Sequence, residues 1–451
     1  MKKYITKAFL ATIILAGIAS CQKEEDRVFD ESVAERLSEQ EKKLQDLLLS
    51  SEYGWKLVYN TSEGDFGSYT YLMRFKDTRN VEMVSDFDAS GPISEVTEYA
   101  IHQRATASLV FTTRSKIHQL SDPANSPYAA GKGYYGEYQF GYYGNTENEI
   151  YFRTPKQDQE LTFVKATKED WETFNQQYTM VDNMNSLSKP YFRVVDVEVA
   201  GKVERFDFTN LGSVRMVDLQ GNKLFKDSDY ALTYNTRGFI VTPAMEVGGQ
   251  KITSFLYDEI SDSFIGKEGN VKVSFKYSNK PVVWTDMSYK KLLSLPTNPK
   301  EPYFMFRTGS SYQILGSKFT SVFLRNKIAE YGKGANGEYK MSAVNLTFNT
   351  TVNTGSGVVP CALSEYVFEG KSYVYFFQLK ELQGNVVQVV PLGWNTLSLP
   401  AQVIELNDLF LGENLYIRKE RGTVQYSNPV ITFISSKAPI VLPTWDYDVI
   451  F

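Results

Sequence analysis

Short runs of alternating apolar and polar residues recur along most of the chain, and each is cut off by Gly, Asn, Asp or Pro. A period of two sends successive side chains to opposite faces of a strand, so such a chain folds as half-buried sheet. Tyr69, Tyr71, Met73 and Phe75 alternate with Thr70, Leu72, Arg74 and Lys76, and a polar turn leads to Val81-Glu82-Met83-Val84. Further strands are expected at 55–59, 107–113, 137–142, 149–153 and 161–165. A second series is expected at 191–199, 205–209, 214–217, 231–234, 239–242, 252–257 and 271–277. A third is expected at 344–349, 366–368, 373–379, 386–392, 415–419 and 431–435. Aromatic residues at 14% of the chain fit a β-rich protein.

Helix signals are few. Ser32-x-x-Glu35 is a capping box, and Val33, Leu37, Leu44, Leu47 and Leu48 follow near helical spacing, which predicts a helix over 33–49. Thr167-x-x-Asp170 caps a second, with Trp171, Phe174 and Tyr178 on one face. Ser317 and Gly332 bracket a third around Phe319, Val322 and Phe323. The fold class is therefore mainly β with a few helices: antiparallel sheets, barrel- or sandwich-like, with the N-terminal helix packed on the first β unit. Three prolines within Leu295 to Pro302 mark a linker. The expected divisions are 1–20 as a leader, 21–30 as a tether, 31–187 as helix plus β domain, 188–297 as a middle β domain and 298–451 as a C-terminal β-rich domain. Phe75-x5-Val81-x-Met83-Val84 recurs as Phe208-x5-Val214-x-Met216-Val217. Duplication explains this, and so do two ordinary hairpins.

The beginning carries an address. Lys2, Lys3 and Lys7 precede an apolar run from Ala8 to Ala19, with the layout of a secretory signal and too short for a mature membrane span. Ile18-Ala19-Ser20-Cys21 resembles the bacterial lipobox, in which the cysteine is lipidated and becomes the new N-terminus; the alternative is an ordinary signal peptide with an incidental cysteine. Lys23, Glu24, Glu25 and Asp26 resemble the export signal of Bacteroidota lipoproteins, which implies display on the outer face of the outer membrane. A solvated tether has the same composition. Removing the leader's three lysines takes the net charge from −5 to −8, which argues against a nucleic-acid surface. With Cys21 acylated, Cys361 is the one thiol left, no intrachain disulfide forms, and core packing alone must hold the fold.

The order Ala34-Glu35-Arg36-Leu37, Gly54-Trp55-Lys56-Leu57-Val58-Tyr59 and Ser85-Asp86-Phe87-Asp88 resembles the Bacteroidota lipoproteins grouped as domain of unknown function 4302. The run from Ser121-Asp122-Pro123 through Gly131-Lys132-Gly133 to Gly136-Glu137-Tyr138-Gln139-Phe140 does so too. The similarity covers most of 30–180. It implies an accessory of nutrient capture, beside outer-membrane uptake pairs of the starch-utilisation type, and it supplies no catalytic residues.

Chemistry-bearing patterns are sparse. His102 and His118 with one free cysteine do not assemble a zinc cage or a recognisable triad, and no phosphate-cradling glycine loop precedes a helix. No catalytic residue, metal site or cofactor is assigned. Asp86-x-Asp88-x-x-Gly91 lacks the further ligands of a Ca²⁺ loop and reads as an Asx turn. The dense feature is 134–143, where Tyr134, Tyr135, Tyr138, Phe140, Tyr142 and Tyr143 are interleaved with glycines. Core packing accounts for it; the functional reading is an aromatic platform of Tyr134, Tyr135, Tyr138, Tyr142 and Tyr143 for sugar rings or a protein partner. The expected function is that of a non-catalytic accessory binding protein for a glycan or peptide uptake system. Its partners would be outer-membrane lipid through Cys21, uptake-complex proteins and a polysaccharide or peptide, with no nucleic acid. A protein-contact lipoprotein without a small ligand, or a hydrolase of unrecognised type, are the alternatives.

Overall fold

A computed structural model describes residues 33–61, 66–87, 92–103, 106–123, 133–186, 188–210, 213–217, 230–294, 303–308, 320–420 and 430–446. The leader, Cys21, the tether with Lys23, Glu24, Glu25 and Asp26, the proline-rich stretch 295–302, Ser317 and Asp88 lie outside these.

The alternating runs close into three antiparallel barrels of eight strands, each a plain meander in which every strand pairs with its neighbours in sequence. The first holds β1 (Trp55–Asn60), β2 (Ser68–Phe75), β3 (Asn80–Ser85), β4 (Glu95–Gln103), β5 (Ala107–Phe111), β6 (Gln139–Asn145), β7 (Glu149–Arg153) and β8 (Glu160–Lys165). The second holds β9 (Phe192–Val199), β10 (Lys202–Asn210), β11 (Ser213–Val217), β12 (Tyr230–Asn235), β13 (Gly238–Val247), β14 (Gln250–Asp258), β15 (Ser263–Glu268) and β16 (Val271–Ser278). The third holds β17 (Tyr303–Arg307), β18 (Met341–Asn353), β19 (Val358–Phe368), β20 (Lys371–Leu382), β21 (Val386–Trp394), β22 (Asn414–Glu420), β23 (Val430–Ser435) and β24 (Val441–Asp446). Closure removes the exposed sheet edges that otherwise template aggregation.

Eight strands leave an interior that side chains can fill. Here aromatic rings do it. Phe140 sits against Tyr59, Phe111, Phe152 and Phe163 in the first barrel. Phe239 meets Phe255, Phe264 and Phe275 in the second, and Phe348 stacks on Phe433 in the third. The interiors are thus apolar cores, the reverse of a membrane-spanning barrel's polar lumen. No helix among the described residues is long and apolar enough to cross a membrane.

A helix precedes each barrel and sends apolar side chains into it. Helix α1 (Val33–Leu49) contributes Leu44 and Leu48 to the first core, and Trp55 Nε1 donates to the Leu48 carbonyl at 3.0 Å. Helix α2 (Lys168–Glu172) has the expected capping box, Thr167 accepting from the Asp170 amide. Helix α3 (Phe174–Asn185) sends Met184 into the second core. Helix α4 (Tyr289–Ser294) sends Tyr289 and Leu292 into the third, which also takes in Leu324 and Ile328 of α5 (Val322–Glu330) and Val403, Leu406, Phe410 and Leu411 of α6 (Ala401–Leu411). Ser321 caps α5, through a bond from the Leu324 amide.

Candidate functional site

The site is built by α3. Its residues Phe174, Gln177, Val181, Met184 and Asn185 recur at helical spacing along one face. Phe174 packs with Leu72 and Val84 outside the first barrel, whereas Met184 is buried in the second. The helix therefore bridges two barrels. β2 approaches β12 beside it, where the Ser68 and Thr233 hydroxyls meet at 2.7 Å.

A cleft of about 200 Å³ remains between them, lined by Ser68, Tyr69, Asp86, Phe87 and Tyr134 of the first unit, Val181 and Asn185 of α3, and Leu232 and Tyr234 of β12. Tyr69, Phe87 and Tyr134 form one wall. Their centroids lie 4.8, 5.8 and 4.9 Å apart with interplanar angles of 85°, 88° and 80°, so the three planes are close to mutually perpendicular. The Tyr69 hydroxyl donates to the Phe66 carbonyl at 2.8 Å, which fixes that ring. Burial pushes its phenol well above the ordinary tyrosine range, with Tyr134, Tyr71, Asp86 and Tyr234 adding to it.

Asp86 follows directly on β3, and only 5% of it is exposed. Its Oδ1 accepts from the Thr70 amide at 2.8 Å, extending the β2–β3 ladder with a side chain, and its Oδ2 accepts from Gln177 Nε2 of α3 at 2.9 Å. Burial raises its pKa to about 6, against the opposing pull of those donors, of the Thr70 hydroxyl and of its own main-chain N–H. Of the Asx turn expected at 86–91, residues 88–91 lie outside the described residues.

The tyrosines of 134–143 do not form one platform. Tyr134 lines the cleft. Tyr135, with φ at +59°, packs its ring on Phe66 at 4.7 Å. Tyr138 is 40% exposed and stacks on His118 at 4.3 Å, just outside β6. Tyr142, at 7% exposure, faces the barrel interior, its hydroxyl donating to Asn145 at 2.6 Å; a core position corrects the expectation that it contacts ligand. Tyr143 is 62% exposed under the Arg153 guanidinium, at an irregularity in the β6–β7 register. The residues not anticipated from sequence are Tyr69, Phe87, Tyr234, Gln177 and Asn185, whose convergence depends on the packing of two barrels. Among the described residues no three His, Cys, Asp or Glu side chains cluster to hold a metal.

Residues 25–259 match the family described as a domain of unknown function, DUF4302. That is just over half of the chain. The chain belongs to this family. The matched span takes in the whole first barrel, α3 and all nine residues lining the cleft, and it ends one residue beyond β14, before β15 and β16 close the second barrel. No curated protein matches the chain.

Proposed function

We propose that this protein is a lipid-anchored, surface-displayed outer-membrane protein that holds a small part of a glycan or peptide in the cleft between its first two barrels. In this reading it does no chemistry of its own and serves a nutrient-uptake system of the starch-utilisation type as an accessory. The observation that supports binding is the cleft itself: four aromatic rings, a carboxyl and amide and hydroxyl groups converge around a space of about 200 Å³. Apolar walls with a few placed polar groups are the ordinary make-up of a ligand pocket. The volume equals about six or seven waters, enough for one sugar ring or one side chain, with the rest of a longer ligand outside. A glycosidase would need a second carboxyl near the first, and Asp86 is the one acid among the nine lining residues. The lipid anchor and surface address rest on the resemblance of residues 18–26 to lipoprotein signals.

Retention on a panel of immobilised glycans and peptides tests the binding part. Tyr134→Ala should cut retention on the cognate polymer about tenfold, while Tyr143→Ala, outside the cleft, leaves it unchanged. Absence of retention on every polymer overturns it. For the address, Cys21→Ala should leave the membrane fraction.

A further inference from the structure

We infer that the cleft between the first two barrels is a cage for an organic ammonium group, of the kind carried by choline, an amino sugar or a lysine side chain. This rests on the cleft being the ligand site and names the chemistry it recognises. Four of its nine lining residues, Tyr69, Phe87, Tyr134 and Tyr234, are aromatic, one is the carboxylic acid Asp86, and none is Lys, Arg or His. An aromatic face attracts a cation through its quadrupole, and substituted ammonium groups are bound by rings set around them as walls. Tyr69, Phe87 and Tyr134, packed edge to face on one another, put three such rings at one corner of the cleft.

Asp86 gives the corner its charge. A buried carboxylate is ordinarily held by a cation, and three half-buried acids of this chain are. Asp170 pairs with Lys56, Glu82 with Arg74 and Lys76, and Asp196 with Arg205 and Lys276, and all three carboxyls titrate below their usual range. Asp86 has only neutral donors instead, the Thr70 amide and hydroxyl, the Gln177 side-chain amide and its own main-chain N–H, with no cationic partner among the described residues. Glu137 and Asp207 likewise accept from neutral donors, but each is capped by two successive main-chain N–H groups and neither lines the cleft. An ammonium group in the cleft would supply the missing countercharge while its substituents meet the rings. The titratable groups that line the cleft with Asp86 are the phenols of Tyr69 from β2, Tyr134 ahead of β6 and Tyr234 from β12, and α3 presents Gln177, Val181 and Asn185. Protonation of Asp86 is therefore the step that removes the attraction as pH falls.

Calorimetric titration of the full chain with choline and with its neutral carbon isostere, 3,3-dimethylbutan-1-ol, tests this, with glucosamine and glucose as a second matched pair. At pH 7.5 each cation should bind at least tenfold more tightly than its neutral counterpart, and choline affinity should fall about tenfold by pH 5. Asp86→Asn should abolish the preference and its pH dependence. Asn185→Lys, in the last turn of α3 where a cation suits the helix end, should block choline by placing an ammonium group in the cleft, and it leaves the Asp86 bonds in place. Equal binding of cation and isostere, or no choline binding by the wild-type chain, overturns the inference. Polymer retention without cation preference sinks this inference and leaves the accessory reading standing. Choline binding without retention on any glycan or peptide does the opposite.

Discussion

Asp86 is a carboxyl whose burial works against its charge. Its folded pKa of about 6 lies above the ordinary aspartate value of 3.8, so between these values the native state binds more protons than the unfolded chain. Stability then falls as pH rises through that window, the reverse of a salt-bridged aspartate, by an amount of order 3 kcal/mol. Urea unfolding at pH 4, 5, 6 and 7 should contain this falling component in the wild-type chain and lack it in Asp86→Asn; identical pH profiles would remove the assignment. None of this was legible in the sequence, because the partners of Asp86 lie 16 and 91 positions away. The tyrosines of 134–143 were legible as a group, but not their separation. β6 begins only at Gln139, and a register irregularity at Tyr143 breaks the simple alternation. The consequence is measurable. Tyr142→Ala empties a core position and should cost about 3–5 kcal/mol. Tyr143→Ala loses only an exposed stacking contact with Arg153, worth about 0.5–1 kcal/mol. Denaturant midpoints of the two variants decide it.

At the scale of elements, periodicity was readable wherever one face is buried. β1 buries Trp55, Leu57 and Tyr59 in strict alternation, and α1 spans the predicted 33–49. β4 went unread because, of its nine residues, only Thr97 and Tyr99 are buried, so its apolar signal is thin. α6 went unread although Val403, Leu406, Asn407, Phe410 and Leu411 have helical spacing. Its N-terminal cap is Pro400, not a Ser, Thr, Asp or Asn. The recurring Phe-x5-Val-x-Met-Val segments fall in the same place in two units, the hairpins β2–β3 and β10–β11. Phe75 pairs with Val81 in the first and Phe208 with Met216 in the second, a register two residues apart. The joint between α1 and β1 depends on Gly54. Its φ is +70°, a Cβ there would lie 2.0 Å from the Met73 carbonyl oxygen, and its own carbonyl accepts from the Ala166 amide just beyond β8. Gly54→Ala should therefore destabilise by about 2 kcal/mol or more, read as a lowered denaturant midpoint with an unchanged slope.

Across the whole molecule, the barrels are joined by α3, by outward-facing side chains and, around the cleft, by residues at the edge of the first two cores. The first and second share α3, the Ser68–Thr233 contact and the cleft. The second and third share a cluster of Phe192, Trp284, Tyr416, Ile434 and Val441, in which the Tyr416 ring lies 4.7 Å from Phe192 and 5.4 Å from Trp284. Tyr191 and Arg418 bond beside it, and Asn385 Nδ2 donates to the Trp284 carbonyl at 2.8 Å. Side chains alternate along β22, so Leu415 and Ile417 point into the third barrel while Tyr416 points away from it. Truncating Tyr416 should leave the third interior packed and remove the ring at the centre of the junction. Each barrel has its own aromatic core and so its own source of cooperativity, whereas coupling between units rests on these few contacts. Tyr416→Ala should therefore separate the melting of the third barrel from that of the first two, with the van't Hoff enthalpy falling below the calorimetric one. Cleft binding, which uses only the first two barrels and α3, should change less than twofold. A single undivided transition in the variant would mean that the coupling lies elsewhere, and a loss of binding would mean that the third barrel holds the cleft in shape through the second.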